Sequence, residues 1–448
     1  MRLLTTLLVS SCFVASAAAQ SGSVAVKAAK IMRADGSVIE QGTLVIENGR
    51  ITSIGGSDVE VPFDVLLNEY PTAVVFPGFF EAHSNSGMDR ANENVPLAPF
   101  LNVKDSIDPV SFYFEDELRG GTVAIGVIPG NNTVIGGRGR VVAPAGMTIE
   151  QMTLSDDMGM KIAIGPKGGW SRSSQLAELR EAVDKLNLDL REIGENLTYD
   201  GVVREDRKKA GIEEDADVAD GDMWDSAAGY IRFGDDFTGK GLISEEDLDD
   251  TQRGMVDILN GDERLWIYAP NATDIMHART WLTAHSLMDH AVFVVRSAAH
   301  KASAALSEMG RPVVITGDLW HVETNPVTRK LNKTFAPLAF YNAGIEFAIS
   351  SEEGRMGPDR LAYQAAMCVR EGVPREAALA SVTTNPASFW GMSEELGDFN
   401  EGADGTFVVF DRDPLHAQSK VLEVYIRGDR VYDRKEDTRL QRLQEGTK

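Results

Sequence analysis

Cysteine is nearly absent from this sequence: among 448 residues only Cys12 and Cys368 occur. Cys12 falls in an N-terminal segment that reads as removable. Cys368 is then left alone, so no disulfide within the chain supports the fold, and an oxidising compartment is compatible with it. Positive charge is scarce as well. Lys and Arg number 44 against 68 Asp and Glu, a net charge of −24. That excludes nucleic acid and anionic membrane surfaces as partners, because both demand a basic footprint. Beyond residue 20 no apolar run is long enough to cross a bilayer. Internal repeats and low-complexity tracts are missing. So is a Gly-x-Ser-x-Gly elbow that would present a serine nucleophile. The glycine-rich stretch from Pro129 to Gly139 lacks the Gly-Lys-Ser/Thr ending of a phosphate loop, and is read as tight turns that pack the fold.

What is present begins with a processing signal. Arg2 precedes an apolar run from Leu3 to Val9, and small residues at Ala17 and Ala19 suit cleavage before Gln20. Residues 1–19 are expected to direct the chain to the periplasm or the exterior. A lipid anchor at Cys12 is the secondary reading. The length of the remainder suits a barrel plus an accessory domain. Residues 24–76 read as short strands, with Asn48-Gly49 between two alternating runs as a hairpin turn. A matching pattern returns at Thr406–Asp411 and Val421–Tyr432. We expect residues 20–76 and 396–448 to form one composite β-sandwich, with residues 77–395 inserted between them.

Inside that insertion, apolar runs alternate with helical periodicity. The runs lie at Gly121–Ile128, Lys161–Ile164, Leu265–Ala269, Ala291–Val295, Pro312–Thr316 and Glu346–Ile349. Runs of this kind, buried on both faces, suit a parallel sheet, and their alternation with helices implies an α/β fold. Helices are expected at Ser173–Leu190, Thr273–Leu287 and Pro358–Glu371. One stretch stands apart: residues 195–263 hold 21 acidic and 7 basic residues. It is read as a solvated helical excursion on the rim. Asp215, Asp217, Asp220 and Asp222 have a calcium-like spacing but complete no EF-hand loop.

The stretch Phe76-Pro77-Gly78-Phe79-Phe80-Glu81-Ala82-His83-Ser84-Asn85 draws the chemistry together. Strand side chains alternate, so His83 and Asn85 share a face at the polar end of a strand. This stretch resembles the entry strand of the amidohydrolase superfamily, which usually ends Asp-Ala-His-x-His. Pro129–Gly139 resembles the glycine-rich loop of its secreted, imidazolonepropionase-related branch. Ala377-Ala378-Leu379-Ala380-Ser381-Val382-Thr383-Thr384-Asn385-Pro386-Ala387 and Leu396–Asp404 resemble later segments of that branch. The resemblance runs in order over nearly the whole mature chain. It implies a distorted TIM (β/α)8 barrel with a composite β-sandwich, and hydrolysis of C–N bonds by one or two metals at the barrel mouth.

Carried over residue by residue, the resemblance points to losses. His83 stands at the first ligand position, but its pair is Asn85, a poor zinc ligand. Lys161 takes the place of the lysine that some members carboxylate. Tyr268 and Pro270 lie where a histidine is usual, and Arg296 and Ser297 where a Glu-His pair is usual. Glu352 stands in for the aspartate that acts as base. His83 and Lys161 are thus read as vestigial metal positions and Glu352 as the catalytic carboxylate. No cofactor is expected; zinc or another divalent metal at reduced affinity is the alternative. Asp318, His321 and Glu323 could rebuild a site, although hydrogen-bonded loop residues are the plainer reading. His277, His285, His290, His300 and His416 are read as structural or solvated, and Cys368 as core. The expected role is a non-catalytic subunit, in a homo- or hetero-oligomer with an active paralogue. The alternative is a metal-dependent hydrolase with a reduced or rebuilt site.

Overall fold

The computed structural model describes residues 22–209, 229–351 and 360–446. The processing segment with Cys12, the Asp215–Asp222 run and Glu352 all lie outside the described residues.

Seven parallel strands organise the body: Phe79–Ser84 (β1), Thr122–Val127 (β2), Met160–Ala163 (β3), Leu265–Tyr268 (β4), Ala291–Val295 (β5), Val313–Ile315 (β6) and Phe347–Ile349 (β7). Every residue of these seven is buried, as strands covered on both faces require. Helices alternate with them and end on their own signals. Phe112–Gly120 starts at Ser111, whose side chain accepts from the Tyr113 N–H, and stops at Gly121 with φ 83°. A left-handed residue at that position suits glycine and turns the chain straight into β2.

Among the described residues the strands pair in two arcs, with no closed ring of eight. β1 pairs with β2, and β3 to β7 pair in sequence order, all in parallel. Between β2 and β3 come antiparallel pieces: Arg140–Val142 pairs with β2, and Ile135–Arg138 pairs with β3. Two separate sheets of four and six strands result. At the other junction, the backbone of β7 and β1 is bridged by the segment 381–382. Ile349 N–H donates to Ser381 O at 3.0 Å, and Phe80 N–H to Val382 O at 2.8 Å. Of the expected distorted (β/α)8 barrel, the described residues show a mixed α/β fold with its parallel strands in two arcs. The glycine-rich stretch runs through the first gap. A Cβ on Gly137 would sit 2.3 Å from Leu101 O, so only glycine lets the two backbones come this close.

Both ends of the described chain meet in a third sheet of seven strands. Its order is Asp429–Asp433, Val421–Ile426, Phe407–Phe410, Leu66–Phe76, Val24–Met32, Val38–Glu47 and Arg50–Gly55. The Asn48-Gly49 turn is as expected, with φ of 53° and 78°. The hydrogen bonds join strands from both ends of the chain into one continuous sheet. Alternation along Leu66–Phe76 explains its place. Ala73 and Val75 pack with Phe399, Phe407 and Val409 in a core of their own, while Val74 and Phe76 point to the other face and join the main core with Val408 and Phe410.

The long helix Arg172–Lys209 runs well past Leu190 and carries the start of the acidic stretch. That stretch is not wholly solvated, since Met255, Val256 and Ile258 on helix Asp250–Asn260 are buried. Its Asp257 and Glu263 both pair with Arg138. No helix among the described residues is long and apolar enough to cross a membrane.

Asp437 fixes the last helix, Thr438–Glu445, by capping the Leu440 N–H at 3.0 Å. Burial alone would raise this carboxyl. The bonds from Arg119, Leu440 and Tyr432 outweigh burial and hold it at about 2, against 3.8 ordinarily. Its stabilising contribution is therefore complete above pH 3.8 and lost as pH falls towards 2. Asp437→Asn keeps an acceptor for the cap but loses the charge bonded to Arg119, and is expected to cost about 1–2 kcal/mol at neutral pH. In acid titrations followed by circular dichroism, the gap between variant and parent should close over that window. A gap that persists at pH 2 would contradict the assignment.

Candidate functional site

Glu81 and His83 share one face of β1, and both are fully buried. Lys161, on β3, reaches across to the same place. Its Nζ lies 2.6 Å from His83 Nε2, and it too is fully buried. One hydrogen lies between these nitrogens, so the imidazole either accepts from the ammonium or donates to the free amine. β4 supplies the aromatic wall. The Tyr268 ring centroid is 5.6 Å from Lys161 Nζ, and the Trp266 ring is 6.2 Å from the His83 ring. A Cβ on Gly136 would lie 3.1 Å from Lys161 Cβ, so the glycine run forms the wall behind the lysine.

The end of β7 is tied to β1 by polar contacts. Ser350 Oγ donates to His83 O at 2.6 Å. The Ser351 N–H donates to the Glu81 carboxylate at 2.9 Å, and its hydroxyl donates to the same carboxylate. Tyr113 donates from its hydroxyl to Ser84 Oγ at 3.0 Å. Sequence reasoning missed Glu81, Ser350 and Tyr113. A charged residue inside an otherwise apolar strand was the available signal for Glu81; Tyr113 gave none, because it comes from a different element.

The remaining candidates are dispersed. Asn85 lies beside Gly130, whose added Cβ would meet Asn85 Nδ2 at 2.9 Å. Arg296 is exposed, and Ser297 donates to Trp320 O at 3.3 Å. His321 and Glu323 stand on a hairpin strand, Trp320–Thr324, that pairs with Leu331–Phe335. His321 Nε2 is 3.6 Å from Glu323 Oε2, Glu323 pairs with Lys301, and Asp318 is exposed. Of the other histidines, His285 packs on Trp281 with its pKa lowered by burial, and His300 bonds Ser297 O. Cys368 is fully buried and its thiol pKa is pushed up by burial, which makes it an inert core residue.

The described residues at this point supply few donors for a metal. Zinc at a catalytic site takes about three protein ligands. At this point one imidazole is present and its Nε2 faces an amine, while the adjoining side chains are Trp266 and Tyr268. Among the described residues no group of three or more His, Cys, Asp or Glu is placed to hold an ion.

Comparison with known proteins finds one family-model match near the C-terminal end and likenesses over most of the chain. Residues 343–432 match the model of the amidohydrolase family. This segment includes β7 and the Ser350–Ser351 contacts to β1. Amidohydrolase tasK of Hapsidospora irregularis is 23% identical over 425 residues, which cover 88% of this chain. The chain spans 40% of that relative's length. Among solved structures, an amidohydrolase from Thermotoga maritima is similar with a TM-score of 0.70 and 21% identity, covering 92% of this chain and all of that one. An adenosine deaminase from Xanthomonas campestris with bound zinc is similar at a TM-score of 0.50 and 14% identity, covering 94% and 96% of the two chains. These structural likenesses establish the fold.

Proposed function

We propose that this chain is an amidohydrolase-family protein without a working metal centre, acting as a partner subunit to an active hydrolase of C–N bonds. One observation carries the reading: His83, the surviving histidine of the entry strand, turns its Nε2 onto Lys161 at 2.6 Å in a fully buried setting. A metal reaching this nitrogen would have to displace Lys161 from it. Asn85, Tyr268 and Ser297, at the other expected ligand positions, add no imidazole. Family membership of the whole chain is supported by the matched segment and by the relative with an amidohydrolase name. Glu352 keeps its role as the carboxylate of the old site in this reading, and His83 and Lys161 theirs as vestigial metal positions. Residues 1–19 export the chain, residues 77–395 carry the old site, and the two ends form the accessory unit.

Native mass spectrometry of protein recovered from the periplasm reads each part at once. The expected species is a metal-free subunit beginning at Gln20, associated with a relative that does carry metal. A stoichiometric ion on this chain would overturn the reading and favour a working metallohydrolase.

A further inference from the structure

A second pocket lies away from His83. Its volume is about 500 Å³, within the range of small-molecule sites. It opens between one face of helix Arg360–Arg370 and the loop that joins Phe407–Phe410 to Val421–Ile426. Arg119 and Gly120, just before β2, also line it. It therefore sits at the strand end opposite the candidate site.

The charge of this pocket runs against that of the chain. Arg119, Arg370, Lys420, Arg434 and His416 line it, and no Asp or Glu does, although the whole chain carries −24. Arg119 is committed to Asp437 and Asp116, and Arg370 pairs with Glu371. Lys420 and Arg434 are different: among the described residues neither has an ion-pair partner. The His416 ring is held by the Gln418 N–H, which donates to Nδ1 at 3.1 Å, so Nε2 carries the ring proton as a further donor. The floor is apolar, formed by Met367, Phe410, Leu415 and Val421.

We propose that this pocket binds a small organic anion: a phosphate or carboxylate head held by Lys420, Arg434 and His416, and an apolar body seated on Phe410 and Met367. Charge-assisted bonds to the head would supply most of the affinity, and the floor would select against bare ions. The site is independent of the metal question.

Calorimetric titration of the full chain with phenyl phosphate tests it, with inorganic phosphate and benzyl alcohol as comparison probes. Saturable binding of phenyl phosphate is expected, weakened by added salt. Inorganic phosphate should bind more weakly and benzyl alcohol not at all. The double variant Lys420→Gln, Arg434→Gln should lose at least about tenfold in affinity, with thermal unfolding unchanged. The proposal is overturned if phenyl phosphate does not saturate. It is equally overturned if the double variant binds as the parent does, or if inorganic phosphate binds as tightly as phenyl phosphate.

Discussion

Glu81→Ala is expected to lower unfolding stability by about 3 kcal/mol. The carboxylate accepts from both the N–H and the hydroxyl of Ser351, and all of these groups are buried. Truncation leaves two donors without an acceptor in a place water does not reach. Each such donor costs roughly 1–3 kcal/mol. Glu81→Gln keeps one acceptor oxygen at the same reach and should lose roughly half as much. Urea unfolding followed by circular dichroism measures both. A change under about 0.5 kcal/mol for the alanine variant, the range of an ordinary surface substitution, would show that the contact does not hold β7 to β1.

The second large effect acts on the other face of the same strand. Trp390 is 2% exposed. Its ring stacks on Phe80 with centroids 6.0 Å apart and an interplanar angle of 16°, and its Nε1–H donates to Ala82 O at 3.1 Å. Trp390→Ala should remove about 3–5 kcal/mol, the transfer energy of the ring plus the cavity it leaves. Trp390→Phe keeps most of the ring but leaves the Ala82 carbonyl without this donor, and should cost roughly 1–2 kcal/mol. The same denaturation experiment ranks the two. Equal losses would mean that the indole N–H carries the effect and the stacking none. Together, Glu81 and Trp390 clamp the strand that presents His83, one from each side.

How far the sequence foretold this can be judged element by element. The parallel strands were legible because residues buried on both faces leave an unbroken apolar run, as at Thr122–Val127. Asn48-Gly49 was legible because the turn's positive φ angles restrict the residue types. The gap between β2 and β3 was not. Gly136 and Gly137 read equally well as turn residues or as points of close approach, and only the position of Leu101, far off in sequence, decides between them. At the candidate site, His83 and Lys161 were named from the sequence, but their mutual contact was hidden, since it joins strands 78 residues apart. The hairpin carrying His321 was missed as well. Trp320–Thr324 is short and half polar, and although Asn325-Pro326 marks a turn, its pairing with Leu331–Phe335 had no apolar alternation to announce it.

The terminal sheet has a consequence for how the protein is made. Strand Leu66–Phe76 sits at its centre, between Val24–Met32 and Phe407–Phe410. During synthesis its first neighbour is available at once, whereas the second follows only about 330 residues later. Until then the growing chain presents an apolar strand edge around Val74 and Val75, an open template for pairing with other chains. Release of the C-terminal strands is thus the step that ends the aggregation hazard. Chains cut short before Phe407 should collect as insoluble material even though every strand of the parallel arcs is present.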